Sequence, residues 1–293
     1  MISAMAWKGF KLDLNDNPCI MGILNTTPDS FSDGGRYLKF DRAVDQGMAL
    51  VEAGADIIDI GGESSRPFAT PVTVQEELDR VIPVIEALST RIKVPISIDT
   101  VKARVAREAV QAGAAIINDI SAMEHDPDMA SVVFDAQVPV ILMHMRGTPE
   151  TMQIKPTYED LMGEITTYLG NRIKVALDAG IRQDRIILDP GIGFGKTLAH
   201  NLLLIRHIDR IKALGYPVLM GPSRKSFVQK ILTQELGRTI KADDPEAEQG
   251  TMAASIACLM NGADIVRVHD VKTFAPMARI TGAILGHNRR QKC

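Results

Sequence analysis

The sequence predicts a single α/β domain with the architecture of a (β/α)8 TIM barrel, and three features of the 293-residue chain support this fold. Eight short apolar runs recur along the chain, amphipathic helical patterns lie between them, and nearly every run ends at residues able to hold or move charge. Short runs rich in isoleucine and valine are typical of strands buried on both faces, and such strands belong in parallel sheets. Because barrels of this kind typically need about 250 residues, the length leaves room for inserted loops.

The predicted strands and helices alternate along the chain. The strands cover residues 19–24, 56–60, 95–98, 115–117, 138–143, 185–188 and 217–220, and the eighth begins at Asp264. Helices are predicted where apolar residues recur on one face. The clearest sets are Val44, Met48 and Val51; Leu78, Val81, Ile82, Ile85 and Leu88; and Leu161, Ile165, Tyr168 and Leu169. Gly54, Gly113 and Gly262 follow three helices, and a left-handed glycine at such a place turns the chain back toward the next strand.

Composition supports one ordinary globular domain spanning residues 1–293. Hydrophobic residues make up 45% of the chain and charged residues 24%, and no linker divides it. We expect a short hairpin at 7–17 that caps the bottom of the barrel, a barrel over about 18–287, and a disordered tail at 288–293. The net charge of -3 argues against nucleic-acid or anionic-membrane partners but leaves room for a local basic pocket.

The cysteines and the N-terminus favour a reducing, cytoplasmic setting. Cys19, Cys258 and Cys293 lie far apart and have neither disulfide-framework nor zinc-ligand spacing. The first fourteen residues have no apolar segment of signal-peptide length, and no run approaches a membrane span. We therefore expect a cytoplasmic protein.

Long segments follow three of the predicted strands. Residues 26–37, 61–73 and 145–157 are rich in glycine, proline or serine, and they form the first, second and fifth loops between a strand and its helix. Loops at the carboxyl ends of barrel strands build the active site in this fold, and long ones often act as lids or substrate clamps. Polar residues at these ends are therefore candidates for function.

Four polar residues at strand ends predict a site for a flat heterocycle. Asp99, Asn118 and Asp189 end the third, fourth and sixth strands, and Lys225 follows the seventh. A carboxylate can accept two parallel N–H bonds from an amino-imine edge, while an amide and an ammonium serve mixed donors and a carbonyl. The alternative for Asp99 is that it caps a helix beginning at Val101.

Two further groups predict a site for an anion and a metal ion. The side chains of Arg267 and His269 leave the eighth strand on the same face and could bind phosphate oxygens together. For an isolated Arg-x-His, a surface salt bridge is the alternative. Asn25 opens a segment rich in hard oxygen ligands, which suits Mg²⁺. A turn stabilised by its own side chains explains that segment equally well.

The glycine-rich segment 189–197 does not fit a nucleotide-binding motif. A P-loop would need glycine where Pro190 stands, and the dinucleotide pattern would need glycine at Lys196. These glycines are instead expected to shape a loop over the ligand. Metal-hydrolase and serine-hydrolase motifs are absent from the sequence.

Eight motifs in order along the chain resemble the dihydropteroate synthase family of bacterial folate synthesis. They read MGILNTTPDSFSDGG, DIIDIGGESSRP, ISIDT, IINDISA, LMHMRGTPETMQ, ILDPGIGFGKT, LMGPSRKSF and IVRVHD. The resemblance covers nearly the whole barrel. It implies an alkyl-group transferase that joins 6-hydroxymethyl-7,8-dihydropterin diphosphate to 4-aminobenzoate, giving 7,8-dihydropteroate and diphosphate, as a homodimer that uses Mg²⁺ and is a target of sulfonamides.

The same resemblance implies roles for individual residues. The pterin would be bound by Asp99, Asn118, Asp189 and Lys225, with Met143 and Phe194 lining its faces. Asn25, Arg267 and His269 would hold the diphosphate, and Asn25 the Mg²⁺, with Asp33 as a second metal candidate. Asn25, Lys225, Arg267 and His269 would form the catalytic set. Phe31, Ser65, Arg66, Pro67 and Ser226 would contact the aminobenzoate.

The second loop departs from the family pattern, and two other functions remain open. The family commonly has glycine where this chain has Phe68, so we expect altered affinity for 4-aminobenzoate and its sulfonamide mimics. One alternative is a pterin-dependent methyltransferase barrel, which would not need Arg66 or the segment SRKSF. The other is a catalytically silent pterin-binding protein.

Overall fold

The computed structural model describes residue 2 and residues 4–14, 18–27, 36–65 and 69–286, with only the backbone of 36–39. An antiparallel hairpin, β1 (Ala4–Trp7) and β2 (Phe10–Asp13), precedes a parallel sheet. The strands of that sheet are β3 (Cys19–Asn25), β4 (Ile57–Gly61), β5 (Ile96–Asp99), β6 (Ile116–Asp119), β7 (Val140–Met143), β8 (Ile186–Asp189), β9 (Leu219–Met220) and β10 (Ile265–Val268).

Helices connect the successive parallel strands on the outside of the sheet. They are α1 (Arg36–Glu52), α2 (Val74–Ser89), α3 (Ala103–Ala112), α4 (Met129–Ala136), α5 (Leu161–Asp178), α6 (Leu198–Arg206), α7 (Ile208–Lys212), α8 (Ser226–Leu236), α9 (Pro245–Met260) and α10 (Val271–Ile284). In the part of the chain covered by the structure, no helix has the length and apolarity to cross a bilayer.

The eight parallel strands form a nearly closed barrel, which confirms the predicted fold. Their order is β8-β7-β6-β5-β4-β3-β10-β9, and a parallel bridge between Leu188 and Val218 joins the two outer strands. The strand β9 is shorter than the predicted run 217–220. Pro217 has no N–H to donate, and Val218 N donates to the Asp264 carboxylate at 2.8 Å rather than to a strand neighbour.

The core is built as the apolar pattern predicts. Ile57, Ile58 and Ile60 of β4 are completely buried, as expected for a strand covered on both faces. Val81, Ile85 and Leu88 of α2 pack on the same core. The glycines predicted to close three helices do have positive φ, at 104° for Gly54, 120° for Gly113 and 101° for Gly262.

The N-terminal hairpin packs against the bottom of the barrel, but its predicted boundaries are wrong. The turn lies at Lys8 and Gly9, which both have positive φ, as tight two-residue hairpin turns require. Trp7 therefore ends the first strand instead of beginning it. Its Nε1 donates to Ala115 O at 2.7 Å, next to the start of β6. The predicted tail at 288–293 lies outside the described residues.

The second and fifth loops are long, as predicted. They occupy residues 62–73, between β4 and α2, and 144–160, between β7 and α5. The first loop was predicted to reach residue 37, but α1 already begins at Arg36. Residues 28–35 of the first loop and 66–68 of the second lie outside the described part of the chain.

Candidate active site at the barrel mouth

The carboxyl ends of the barrel strands bring most of the described candidate residues to one cleft of about 1090 Å³. The residues from distant parts of the chain that line it include Asn25, Ser65, Asp99, Lys225, Ser226, Arg267 and His269. This volume is slightly above the usual range for a small-molecule site.

The other candidates for ring binding lie deeper than the cleft wall. Asn118 and Asp189 are nearly completely buried at the ends of β6 and β8. Met143 and Phe194 form a small apolar cluster with Ile120 and Met152, and Met152 also lines the cleft. The Lys225 ammonium lies 3.9 Å from the centre of the Phe194 ring. These contacts connect the buried floor with the open cleft.

Arg267 forms a buried ion-pair network across the barrel. Its Nε donates to Asp59 Oδ2 at 2.6 Å and its Nη2 donates to Asp99 Oδ2 at 2.8 Å. Asn118 Nδ2 also donates to Asp59 Oδ2, at 3.2 Å. The surface-salt-bridge alternative for Arg267 is therefore wrong, since its side chain is 19% exposed and that of Asp59 is fully buried.

Asp99 does not cap the helix that follows it. The helix α3 begins at Ala103, two residues later than the alternative required, and Ala103 N donates to Asp126 Oδ2 at 2.8 Å. Lys102 N donates to Thr100 Oγ1. The Asp99 carboxylate therefore lies in the mouth of the barrel, bonded to Arg267.

Asp59 is a site residue that the sequence analysis missed. It lies inside the run 56–60, which was interpreted as a buried apolar strand, and its side chain points to Arg267 and Asn118. Its Oδ1 has no hydrogen-bond partner among the residues that the structure describes. A charged residue in the middle of a strand buried on both faces needs a buried partner, and that requirement could have identified it.

Burial and neighbouring charges shift the pKa values of the site carboxyls. Burial raises the pKa of Asp99, although the Arg267 guanidinium opposes that effect. Burial also raises the pKa of Asp189 to about 6, while the Gly191 N–H and the charge of Lys196 oppose it. Desolvated carboxylates of this kind gain from a ligand that donates paired N–H groups.

His269 is oriented by Ser223, which the sequence analysis did not assign to the site. The His269 Nδ1 and the Ser223 hydroxyl lie 2.9 Å apart, and the His269 backbone N–H donates to the same hydroxyl. Ser223 lines the cleft and is nearly completely buried. Its position in the loop that follows β9, at the mouth of the barrel, is the signal that could have found it.

Lys225 and Ser226 stand at the start of α8, at the edge of the cleft. Ser226 is the first residue of this helix, and Lys225 occupies the position before it. Unpaired backbone N–H groups at a helix start favour an anionic group nearby. Gly193 makes room for the lysine stem, because a Cβ at Gly193 would lie 2.8 Å from Lys225 Cδ.

The described part of the second loop is held by ion pairs. Lys102 Nζ pairs with Glu63 and with the buried Glu77, and Arg80 Nη1 donates to Gly62 O at 2.8 Å. These contacts precede Ser65, which lines the cleft. The candidates Phe31, Asp33, Arg66 and Pro67, and also Phe68, lie outside the described residues.

The metal candidate Asn25 provides a hard oxygen donor at the end of β3, facing the cleft. Among the residues that the structure describes, no group of three or more histidine, cysteine or acidic side chains could hold a metal ion. Mg²⁺ often takes one or two protein oxygens and completes its shell with phosphate oxygens and water. The single amide oxygen of Asn25 fits that mode of binding.

Comparison with known proteins is consistent with this geometry. Residues 21–269 match the family model described as pterin binding enzyme. The dihydropteroate synthase of Synechocystis sp. is 48% identical over 265 residues, which cover 90% of this chain and 89% of that protein.

Two solved structures have the same fold and similar sequences. The dihydropteroate synthase of Yersinia pestis, in a sulfonamide drug complex, superposes with a TM-score of 0.88 at 43% identity. The match covers 97% of this chain and 99% of the Yersinia chain. The Xanthomonas albilineans dihydropteroate synthase with 4-aminobenzoic acid has a TM-score of 0.87 at 43% identity, with the same coverage. This chain therefore belongs to the dihydropteroate synthase family of pterin-binding enzymes.

Proposed function

We propose that this protein is a dihydropteroate synthase, an alkyl-group transferase that joins 6-hydroxymethyl-7,8-dihydropterin diphosphate to 4-aminobenzoate. The observation that carries the proposal is that buried carboxylates for a ring edge and cations for a polyanion meet at one barrel mouth. The names of the similar proteins support the same reaction.

The pterin ring would be bound at the floor of the cleft. Asp189, Asn118 and Asp99 would pair with the nitrogen-rich edge, because carboxylate and amide groups match its donors and acceptors. Lys225 would serve the ring carbonyl, and Met143 and Phe194 would cover the ring faces. The apolar cluster around Phe194 and the ammonium above it support this arrangement.

The reaction needs no nucleophile from the protein. The bond between the pterin methylene carbon and the diphosphate oxygen breaks, and its electron pair leaves with the diphosphate. The electron-rich pterin delocalises the resulting cation, the amine of 4-aminobenzoate forms the new C–N bond, and the amine then loses a proton. Arg267 and His269 would stabilise the developing charge on the leaving group, and one such preorganised donor is worth about 10² to 10³ in rate.

We extend the proposal to Mg²⁺ as the metal, with Asn25 as its protein ligand and Asp33 as a second candidate. The ion would neutralise diphosphate charge when bound. Ser65 and Ser226 would contact the aminobenzoate together with Phe31, Arg66 and Pro67. The position of Ser226 at the start of α8 suits the carboxylate of that substrate.

A homodimer in the cytoplasm is also part of the proposal. Met252 of α9 is buried in the core, whereas Met260 of the same helix is exposed. Ile280 and Ile284 of α10 are 66% and 70% exposed, which offers a second copy an apolar face. Sedimentation at micromolar concentration would test the dimer, and a monomer under those conditions would contradict it.

One incubation separates the synthase from the two alternatives. The purified protein is mixed with the pterin diphosphate, 4-aminobenzoate and Mg²⁺, and dihydropteroate is measured by chromatography. A synthase forms dihydropteroate and diphosphate in equal amounts, and leaving out either substrate abolishes both products. A methyltransferase barrel or a silent binding protein would bind pterin but form neither product.

A further inference from the structure

Lys196 is a buried lysine that lies behind the candidate site. Its side chain is nearly completely buried between the loop after β8 and the loop after β7. Its Nζ lies 2.8 Å from Phe194 O, 3.0 Å from His144 Nδ1 and 3.3 Å from His144 O. An ammonium has three N–H donors, so these three uncharged acceptors can satisfy it.

Burial of this charge is costly, and the position of the lysine indicates what it provides. Taking an ammonium out of water disfavours the folded state unless the new contacts compensate. Within the described part of the chain, the acceptors of Lys196 lie on the segment that carries Phe194 and on the segment that begins at His144. The lysine therefore fastens two loops to each other.

The two loops touch through their backbones where Lys196 fastens them. Gly191 and Gly195 have φ of +71° and +65°, and a Cβ there would lie 2.0 Å from His144 O and 2.5 Å from Arg146 O, respectively. A loop that needs glycine at such positions loses much conformational entropy on ordering, so it needs fixed anchors. Tyr158 OH adds a further anchor by donating to Gly195 O at 2.8 Å.

The fastened loop carries two residues proposed to bind the pterin. Asp189 precedes it, and Asp189 Oδ1 accepts the Gly191 N–H at 2.6 Å. Phe194 lies within it, directly bonded through its carbonyl to Lys196, with its ring under the Lys225 ammonium. A change at Lys196 would therefore affect both Asp189, which is proposed to bind the edge of the pterin ring, and Phe194, which is proposed to cover its face.

We propose that Lys196 is a positioning residue for the pterin. Its contacts with Phe194 O and with His144, which we call the junction, hold Phe194 and Asp189 in place. This inference rests on the proposed function, because Asp189 and Phe194 are assigned to the pterin there. Lys196 is not among the residues that line the cleft, and it acts on the pterin through Asp189 and Phe194.

The charge of Lys196 gives the inference a distinct signature. Burial raises the pKa of Asp189 to about 6, and the Gly191 N–H, Lys196, Lys225 and Arg267 all act to lower it. Loss of the Lys196 charge should therefore raise the pKa of Asp189 further. A lysine that only stabilised the fold, without influencing the surroundings of Asp189, would leave this titration unchanged in the folded variant.

The other groups around Lys196 keep the junction intact near neutral pH. Burial lowers the pKa of Lys196 to about 7, Asp189 raises it and Lys225 lowers it. Burial also lowers the pKa of His144 to about 3, with a further contribution from the Lys196 charge. The neutral imidazole can pair with either form of the amine, so the contact persists when Lys196 loses its proton.

The test compares Lys196→Met, Lys196→Gln and the matched control Lys174→Met. Lys174 is exposed on α5, away from the junction. Binding of 6-hydroxymethyl-7,8-dihydropterin diphosphate with Mg²⁺ is measured by calorimetry from about pH 5 to pH 8, and KM for 4-aminobenzoate is measured separately. Lys196→Met should weaken pterin binding roughly 10-fold or more. The fall in pterin affinity at low pH, which we call the acid limb, should move to higher pH.

Each remaining outcome decides the inference. Lys196→Gln keeps two N–H donors without charge, so it should recover affinity at high pH but keep the shifted acid limb. A folded Lys196→Met protein with the pterin affinity and pH midpoint of the Lys174→Met control would overturn the inference. If Lys196→Met does not fold, Lys196→Gln is judged by its acid limb, and an unshifted limb overturns the inference. A parent protein that binds pterin but forms no dihydropteroate would instead contradict the proposed function.

Discussion

The two ends of the barrel bury polar groups in different ways. At the bottom, the hairpin covers the core with Met5, Trp7, Leu12 and Leu14, and the buried indole N–H of Trp7 has a backbone acceptor. At the mouth, carboxylates and cations are buried together, and Asp59 Oδ1 has no partner among the described residues. The bottom of the barrel therefore contributes stability, whereas the mouth retains poorly compensated charge that a ligand can use.

The largest expected effect comes from removing the guanidinium at the mouth. Arg267→Leu leaves the Asp59 and Asp99 carboxylates buried without their cation, so the free energy of unfolding should fall by about 3 to 5 kcal/mol. Synthase activity should be lost as well. Urea unfolding and a product assay measure the two effects. Arg267→Lys is the matched control. It keeps the positive charge but lacks the planar guanidinium that donates to both Asp59 and Asp99, so it should recover more stability than activity. Unchanged stability of Arg267→Leu would contradict the network.

At the bottom of the barrel, stability and function should separate. Trp7→Ala removes a large buried ring and should lower the free energy of unfolding by about 3 to 5 kcal/mol. Because Trp7 contacts the start of β6 rather than its carboxyl end, pterin affinity of the folded protein should stay within about twofold of the parent. Urea unfolding and calorimetry at a temperature where the variant is folded provide both values. A large loss of affinity would remove the distinction between the two ends.

At the mouth, by contrast, removing a single carboxylate should weaken pterin binding. Asp99→Ala removes a proposed acceptor for the ring and should weaken pterin binding by about 1.5 to 3 kcal/mol, or roughly 10- to 150-fold. Calorimetry measures the change, with Asp135→Ala on the exposed side of α4 as the control. Unchanged pterin affinity in Asp99→Ala would remove that residue from the ring site.

Some features of the mouth could be predicted from the sequence, and others could not. Asp99, Asn118 and Asp189 could be assigned to one mouth because parallel strands end at the same edge of the barrel. The pairing of Arg267 with Asp59 joins residues 208 positions apart, and it depends on which side chains meet across the barrel interior. Apolar periodicity carries no such information, so Asp59, Ser223 and Lys196 were missed. The hairpin was shifted because its turn depends on left-handed backbone at Lys8 and Gly9.

The smallest expected effect is a pH dependence of pterin binding that is set by Asp189. Burial raises the pKa of this carboxyl to about 6, so its ionised form becomes available as the pH rises through that value. Pterin affinity should increase over the same range and then level off. Because the folded pKa lies above the unfolded value, stability should change in the opposite sense: the contribution of Asp189 is present below pH 4 and lost as the pH rises through about 6.

Calorimetry across this range, with Asp189→Asn as the control, measures the binding limb. The Asn variant should bind weakly and should lose the part of the limb that Asp189 contributes, while Asp99, whose pKa is also raised by burial, continues to titrate. An equal limb in Asp189→Asn would assign the titration to another group.

A crystal structure with the pterin diphosphate and Mg²⁺ bound would show where the ring and its leaving group lie. We expect the ring between Met143 and Phe194, with its nitrogen-rich edge on Asp189 and Asn118, and the diphosphate pointing toward Asn25 and His269. A ring bound elsewhere on the barrel, or a diphosphate directed away from these residues, would show that the barrel mouth is not the pterin site.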